Sequence, residues 1–393
     1  MAVSDTAWAR PLQGRDPHES HRASTPLELF LDLTFVVAIA ATAQRLHHGI
    51  AEGHWNALAG YLVVFFAVWW AWMNFTWFAS AYDSDDVLYR TLTFVQMAGV
   101  LVLAVGVPSA FDDGDLRIVV LGYVVMRVPQ VAQWLRAARG DPPRRHAARR
   151  YAMGVGVMQL LWIGRLFVPG SAGTVTTVVL IVAELAVPVY AERRGPTPWH
   201  PGHIVERYGL MTIIVLGEVL LATSTAISGA IDNHGVGGEL LLAVGGGLLV
   251  VFSLWWFYFT YADEERLGHD VGPMAMVWGY GHFVVFASVA AVGAGLAACV
   301  DVIQHEAHVD ARGATLAVGV PIAAYVITLG LLHGGLATTG RAFVWSVLTA
   351  VAVVVVSAIG LPVGVTLLGV GAVLVVALLA ALLRGWVHDD PVG

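Results

Sequence analysis

The sequence predicts an all-α polytopic integral membrane bundle of about twelve transmembrane helices, built as two six-helix pseudo-repeats of the same orientation. Three observations carry this expectation. Hydrophobic residues make up 58% of the 393-residue chain and charged residues 12%, against ~25% charged in soluble domains; mean hydropathy is +0.72. The apolar residues fall in continuous runs of about twenty, the length that crosses ~30 Å of hydrocarbon. The basic residues, 21 in number and all arginine, gather in alternate loops.

The runs lie near 27–46, 56–80, 90–110, 116–138, 150–168, 173–192, 204–229, 239–261, 273–298, 314–335, 342–359 and 361–384. None alternates with period two, so each satisfies its backbone in lipid as a helix. The first opens at Thr25-Pro26 with Glu28 following, a cap, a first-turn proline and a capping-box acid. The second is rich in tryptophan at its far end (Trp69, Trp70, Trp72, Trp77), as is the eighth (Trp255, Trp256), positions suited to an aromatic belt or, alternatively, a stacking surface. The last two runs are separated only by Gly360, Leu361 and Pro362, which permits a tight hairpin or one long broken segment.

Arginine placement sets the expected orientation. With twelve spans, sixteen arginines fall on the side of the termini, among them Arg136, Arg139, Arg144, Arg145, Arg149 and Arg150 in one loop, and three (Arg45, Arg117, Arg312) fall opposite. The positive-inside rule then puts both termini in the cytoplasm. Expected divisions are a cytoplasmic arm at 1–24, six-span halves at 25–195 and 196–385, and a cytoplasmic tail at 386–393. No apolar run precedes the first span, so no cleaved signal peptide is expected. The halves echo each other. Setting Glu28 on Glu206 aligns Thr34 with Thr212, and the next span in each half ends in aromatics and an acidic loop, Asp83/Asp85/Asp86 and Asp263/Glu264/Glu265. Repeats with an even number of spans share one orientation.

Ionisable groups inside spans are costly and mark candidate sites. The set is Glu28, Asp32, Arg127, Arg165, Glu184, Glu206, Arg207 and Glu218. Glu28 and Asp32 are four apart and share a helix face. Glu28 reads as a helix cap or a site acid; Asp32, one turn deeper, reads as half of an ion pair or a solute contact. Arg207 and Glu218 lie on one stripe ~16 Å apart, Glu218 near mid-membrane behind Gly217. Arg127 and Arg165 are candidate partners for Glu218 and Glu184. Two accounts remain open, buried ion pairs or a wet polar path.

Asn74, Gln96, Gln130 and Gln159 read as interhelical hydrogen-bond partners, and His282 as a structurally satisfied histidine. His47, His48, His54, His305 and His308 fall in outer loops as solvated groups or, less simply, a zinc site; no metal and no cofactor are expected. The one cysteine, Cys299, excludes an intrachain disulfide and a cysteine metal cluster. The absence of lysine excludes a Walker A loop, and no basic tract suggests nucleic acid. Asp83-Ser-Asp-Asp86 is the nearest thing to a diphosphate-binding acidic motif and has no strong counterpart.

Thr25-Pro-Leu-Glu-Leu-Phe-Leu-Asp-Leu-Thr-Phe-Val-Val-Ala-Ile39 and His203-Ile-Val-Glu-Arg-Tyr-Gly-Leu-Met-Thr-Ile-Ile-Val-Leu-Gly-Glu218 resemble the two signatures of the bacterial low temperature requirement protein A family. The resemblance covers nearly the whole chain. It implies a multi-span inner-membrane protein with Glu28, Asp32, His203, Glu206, Arg207, Gly209, Gly217 and Glu218 as motif positions. Phe30-Leu-Asp32 is also similar to the Phe-Ser-Asp motif of a two-repeat potassium-channel family, with leucine here in place of serine and Tyr208-Gly-Leu210, without an acid, in the second half.

The leading functional expectation is a transport or channel-like protein whose path is lined by Glu28, Asp32, Arg127, Arg165, Glu184, His203, Glu206, Arg207 and Glu218. Alternatives are a membrane-embedded enzyme acting on a lipid or isoprenoid, with Asp32 or Glu218 as general acid, and an accessory structural protein. The expected partners are the lipid bilayer and a small solute, ion or lipid substrate, with oligomerisation possible.

Overall fold

The computed structural model describes residues 8–17, 19, 22–261, 273–334 and 340–383. Among them twelve long α-helices follow the expected order: α1 (Pro26–Ala51), α2 (Ala57–Ala81), α3 (Val87–Asp112), α4 (Arg117–Gly140), α5 (Arg145–Arg165), α6 (Gly170–Ala191), α7 (Pro201–His234), α8 (Gly238–Tyr261), α9 (Pro273–Ile303), α10 (Ala311–Gly334), α11 (Gly340–Ala358) and α12 (Val363–Leu383). Eleven are long and apolar enough to cross a membrane. The exception is α5, which carries Arg145, Arg149 and Arg150 at its start and Arg165 at its end; it packs between α4 and α6, both among the eleven. The expected acidic loop at Asp263, Glu264 and Glu265, together with Arg266, Arg384 and the 386–393 tail, lies outside the described residues.

Local chemistry accounts for the ends. The amide of Glu28 donates to the Thr25 hydroxyl at 3.3 Å and the amide of Thr25 donates to the Glu28 carboxylate at 2.7 Å, a reciprocal capping box. Asp86 caps α3, accepting from the Tyr89 amide at 2.7 Å. Burial opposes ionisation of Asp86, but the amides of Tyr89 and Arg10 and the Arg136 guanidinium outweigh it and hold the carboxyl below its ordinary value. Its neighbour Asp85 takes a left-handed φ of 45° and pairs with Arg90 at 2.8 Å. The acidic run at 83–86 therefore caps and turns the chain. Gly360, at φ 83°, closes a turn between α11 and α12, and Trp345 on α11 donates to the Ala377 carbonyl on α12 at 3.0 Å. The last two runs are a hairpin, because only glycine takes that φ without strain.

The described chain forms two compact units. One contains the residues up to Ala38 with Phe66–Arg207; the other contains Ile39–Phe65 with the residues from Tyr208. The division falls within α1, α2 and α7, whereas the expected halves meet at 195/196.

In the first unit α3, α4, α5 and α6 pack in sequence. Gly99 and Gly122 let α3 and α4 meet backbone to backbone: a Cβ on Gly122 would strike the Leu103 amide and the Gly99 carbonyl. Gln96 donates to Gln133 across the same interface at 2.9 Å. Trp134 on α4 stacks on Tyr151 at 4.2 Å and meets Phe78 edge-on at 4.8 Å. The N-terminal arm lies on this unit, with Leu12 buried against Gly140 and the Arg15 amide donating to the Ala81 carbonyl at 3.0 Å.

In the second unit α9 is the most enclosed candidate span, with 89% of its apolar window buried, and so forms the core. It packs on α8 and α10, α10 packs on α11, and α8 lies along α12. Small residues permit the close approaches: Gly246 faces the backbone of Leu367 and Leu368, and Gly319 faces Ser357. His282 is saturated, with Nδ1 bonded to the Trp278 carbonyl at 2.8 Å and Nε2 to the Tyr258 hydroxyl at 3.1 Å. That places a proton on Nδ1, since a carbonyl can only accept.

Candidate functional site

The cluster of interest lies within the first unit, where the N-terminal turns of α1, the C-terminal turns of α2, the start of α7 and the arm residue Arg22 converge. Glu28 and Asp32 stand one turn apart on α1. Trp72, Thr76 and Ser80 succeed each other every four residues on one face of α2. His203 and Arg207 do the same on α7.

Asp32 Oδ1 accepts from Arg207 Nη2 at 2.5 Å and from Trp72 Nε1 at 2.8 Å, and neither charged side chain is exposed. Glu28 Oε1 lies 3.2 Å from His203 Nε2 and 3.7 Å from the Arg22 guanidinium. Arg22 also donates to the carbonyls of Ser80 and, at 2.7 Å, Ala79, closing the last turn of α2 where carbonyls lack helical partners. Glu206 is half-buried and accepts from the Ser24 amide at 3.2 Å. His200, just ahead of α7, accepts at Nδ1 from the His203 amide (3.2 Å) and donates from Nε2 to the Glu19 carbonyl (2.8 Å). Asp83, in the loop after α2, has its carboxyl pushed up by burial and by the charge of Glu28.

Many polar atoms here are buried without a hydrogen-bond partner among the described residues: Asp32 Oδ2, Arg207 Nε and Nη1, His203 Nδ1, Thr76 Oγ1 and the Tyr89 hydroxyl. Tyr89, at the start of α3, is buried in the same unit. Open donors and open acceptors thus coexist in one fully buried place.

A second buried charge pair in the same unit is built differently. Glu184 on α6 receives Trp70 Nε1 at 2.9 Å, Tyr123 OH at 3.0 Å, Trp162 Nε1 at 3.2 Å and Arg127 Nη2 at 3.3 Å. Both its oxygens are occupied. Arg127 also donates to Gln130 at 2.7 Å and lies 5.1 Å over the Tyr123 ring, keeping Nε open.

The remaining sequence candidates lie elsewhere. Arg165 donates to the Thr177 hydroxyl at 2.8 Å and the Val168 carbonyl at 3.1 Å, so it closes the turn after α5 and is not an acid's partner. Glu218 sits half-buried on the part of α7 in the second unit and makes no ion pair or hydrogen bond among the described residues. In that unit His47 pairs with Asp301 and His308 with Glu52, each at 2.7 Å. Among the described residues no group of three or more histidine, cysteine or acidic side chains is placed to hold a metal ion. Sequence reasoning placed Trp72 in an aromatic belt or stacking surface and did not assign Arg22, Thr76 or Tyr89 to a site. The i, i+4 spacing of Trp72, Thr76 and Ser80 was the available signal.

Residues 23–382 match the bacterial low temperature requirement A protein family. The chain belongs to that family. The match takes in Glu28, Asp32, Trp72, His203 and Arg207. The chain is also 29% identical over 276 residues to a curated relative, Uncharacterized protein RA0937 of Rhizobium meliloti (strain 1021). That similarity spans 67% of this chain and 64% of the relative. The family membership and the apolar helices together make this a multi-span bacterial membrane protein in contact with lipid.

Proposed function

We propose that this member of the family moves a small polar solute or ion across the bacterial inner membrane, along a route that passes Glu28, Asp32, His203 and Arg207. The observation that supports it is the contrast between the two buried charge clusters. A pair that serves packing alone should saturate its hydrogen bonds, because an open polar atom in a buried place costs ~1–3 kcal/mol. The Glu184 carboxylate is saturated, although Arg127 Nε and Gln130 Nε2 beside it stay open. The Asp32–Arg207 cluster leaves hydroxyls, guanidinium nitrogens and a carboxylate oxygen open, the arrangement expected of groups that exchange partners with a passing solute or water. Arginine asymmetry supports cytoplasmic termini, and sequential packing of α3–α6 in one unit and α9–α12 in the other supports two six-span repeats.

The test uses substitutions that break no existing bond. Tyr89→Phe and Thr76→Val each remove only an open hydroxyl. The full chain is reconstituted into liposomes and assayed for proton, potassium, sodium and amino-acid flux. Flux in the wild type that falls in both variants, at unchanged thermal stability, is the expected result. Absence of flux for every probe, or variants indistinguishable from wild type, overturns the proposal.

A further inference from the structure

A strongly charged surface lies where α5 begins and α6 ends, and it is independent of the transport reading. Tyr190, exposed on the last turn of α6, carries two guanidinium groups: Arg150 at 5.4 Å and Arg193 at 5.9 Å from the ring centre. Neither arginine makes an ion pair among the described residues. Arg149 beside them is exposed and equally unpaired. Among the described residues, Asp141 and Glu192 are committed elsewhere. Asp141 binds Arg144 at 3.3 Å and accepts from the Tyr82 hydroxyl at 3.1 Å. Glu192 accepts from Tyr151 at 3.0 Å and Thr197 at 2.7 Å. Like charges gathered on one ring repel unless an anion lies between them.

The setting selects the anion. Val187 occupies the space that a side chain at Gly154 would need, so α5 and α6 lie in close contact just below the arginines. From there the same two helices present exposed Met153, Val157, Val182 and Val189, apolar side chains suited to acyl chains. A site with cations at the rim, an amphipathic ring between them and an apolar face below matches one molecule: a phospholipid with an anionic headgroup. We infer that Arg150, Arg193 and Tyr190 form a binding site for the phosphate of an anionic phospholipid, with its acyl chains along the α5–α6 face. Arginine donates in a planar fork that suits phosphate oxygens, and the tyrosine ring holds both guanidinium groups in place by cation–π contact.

The test uses the full-length protein in neutral detergent with phosphatidylglycerol or phosphatidylcholine as probe. Native mass spectrometry reads retained lipid and a thermal melt reads stabilisation. The wild type is expected to retain phosphatidylglycerol preferentially and to melt higher with it than with phosphatidylcholine. Arg150→Gln with Arg193→Gln should lower phosphatidylglycerol retention by about twenty-five-fold, since each basic residue at an anionic surface is worth about fivefold. A control pair at exposed arginines elsewhere, Arg90→Gln with Arg117→Gln, should leave it unchanged. A wild type without preference between the lipids overturns the inference whether or not the variants fold. Equal loss in the control pair overturns it too, because overall charge would then explain the binding.

Discussion

Asp32 and Arg207, 175 residues apart in the chain, meet at 2.5 Å with neither side chain exposed. A single buried ion pair thus ties the start of α1 to the start of α7. Removing one partner strands the other charge. Asp32→Asn or Arg207→Gln alone is expected to destabilise the protein by ~3–5 kcal/mol. The double substitution should cost clearly less than the two together, because no charge is then stranded. A double-mutant cycle on thermal stability in detergent measures this; additive losses would contradict direct pairing.

Glu184 gives the opposite expectation for activity. With four donors on its carboxylate, Glu184→Gln should cost stability on a similar scale, ~3–5 kcal/mol, because Arg127 is 1% exposed and loses its counter-charge. Flux per folded molecule in liposomes should stay at the wild-type level. A variant that folds normally but transports poorly would move Glu184 onto the solute route.

Glu192 lies just beyond α6, and burial raises its carboxyl despite the hydrogen bonds from Thr197 and Tyr151. The folded chain therefore holds that proton more tightly than the unfolded chain does. Below the unfolded value, ~4.3, both states are protonated and the group has no effect. As pH rises through the folded value, the ionised carboxylate costs stability. Glu192→Gln keeps an oxygen for both hydroxyls and should raise the melting temperature at about pH 8, with the gain fading toward about pH 4. A pH-independent change would exclude ionisation as the cause.

Gly122 tests the packing of α3 on α4. A methyl group there meets backbone on two sides, the Leu103 amide and the Gly99 carbonyl, and backbone cannot rotate away. Gly122→Ala should cost ~1–3 kcal/mol, whereas Gly156→Ala on α5, where the nearest atom is a valine methyl at 4.0 Å, should be close to neutral. Paired thermal melts decide it; equal melting temperatures would show that α3 and α4 separate without penalty.

The spans were legible in the sequence because lipid imposes a length and an apolarity that each helix must meet alone. Eleven of the twelve expected runs satisfy both, and α5 departs because its arginines cluster at the ends. The Thr25–Glu28 capping box was legible for a related reason: its partners are three residues apart. The partners of Asp32, Glu184 and Arg165 were not. Glu184 draws donors from α2, α4 and α5, and no spacing within α6 indicates which helices lie beside it.

By itself, then, the sequence determined what each segment must satisfy locally: which runs enter lipid, where they start and turn, and which charged residues are too costly to be accidental there. The tertiary structure decided how those costs are met. It gave Asp32 an arginine from α7 and Glu184 one from α4, and put Arg165 on the turn after its own helix. The physical reason is range. Helix formation and membrane partition act along one segment, whereas a buried charge is compensated within a few ångströms in space, by groups that only packing brings together.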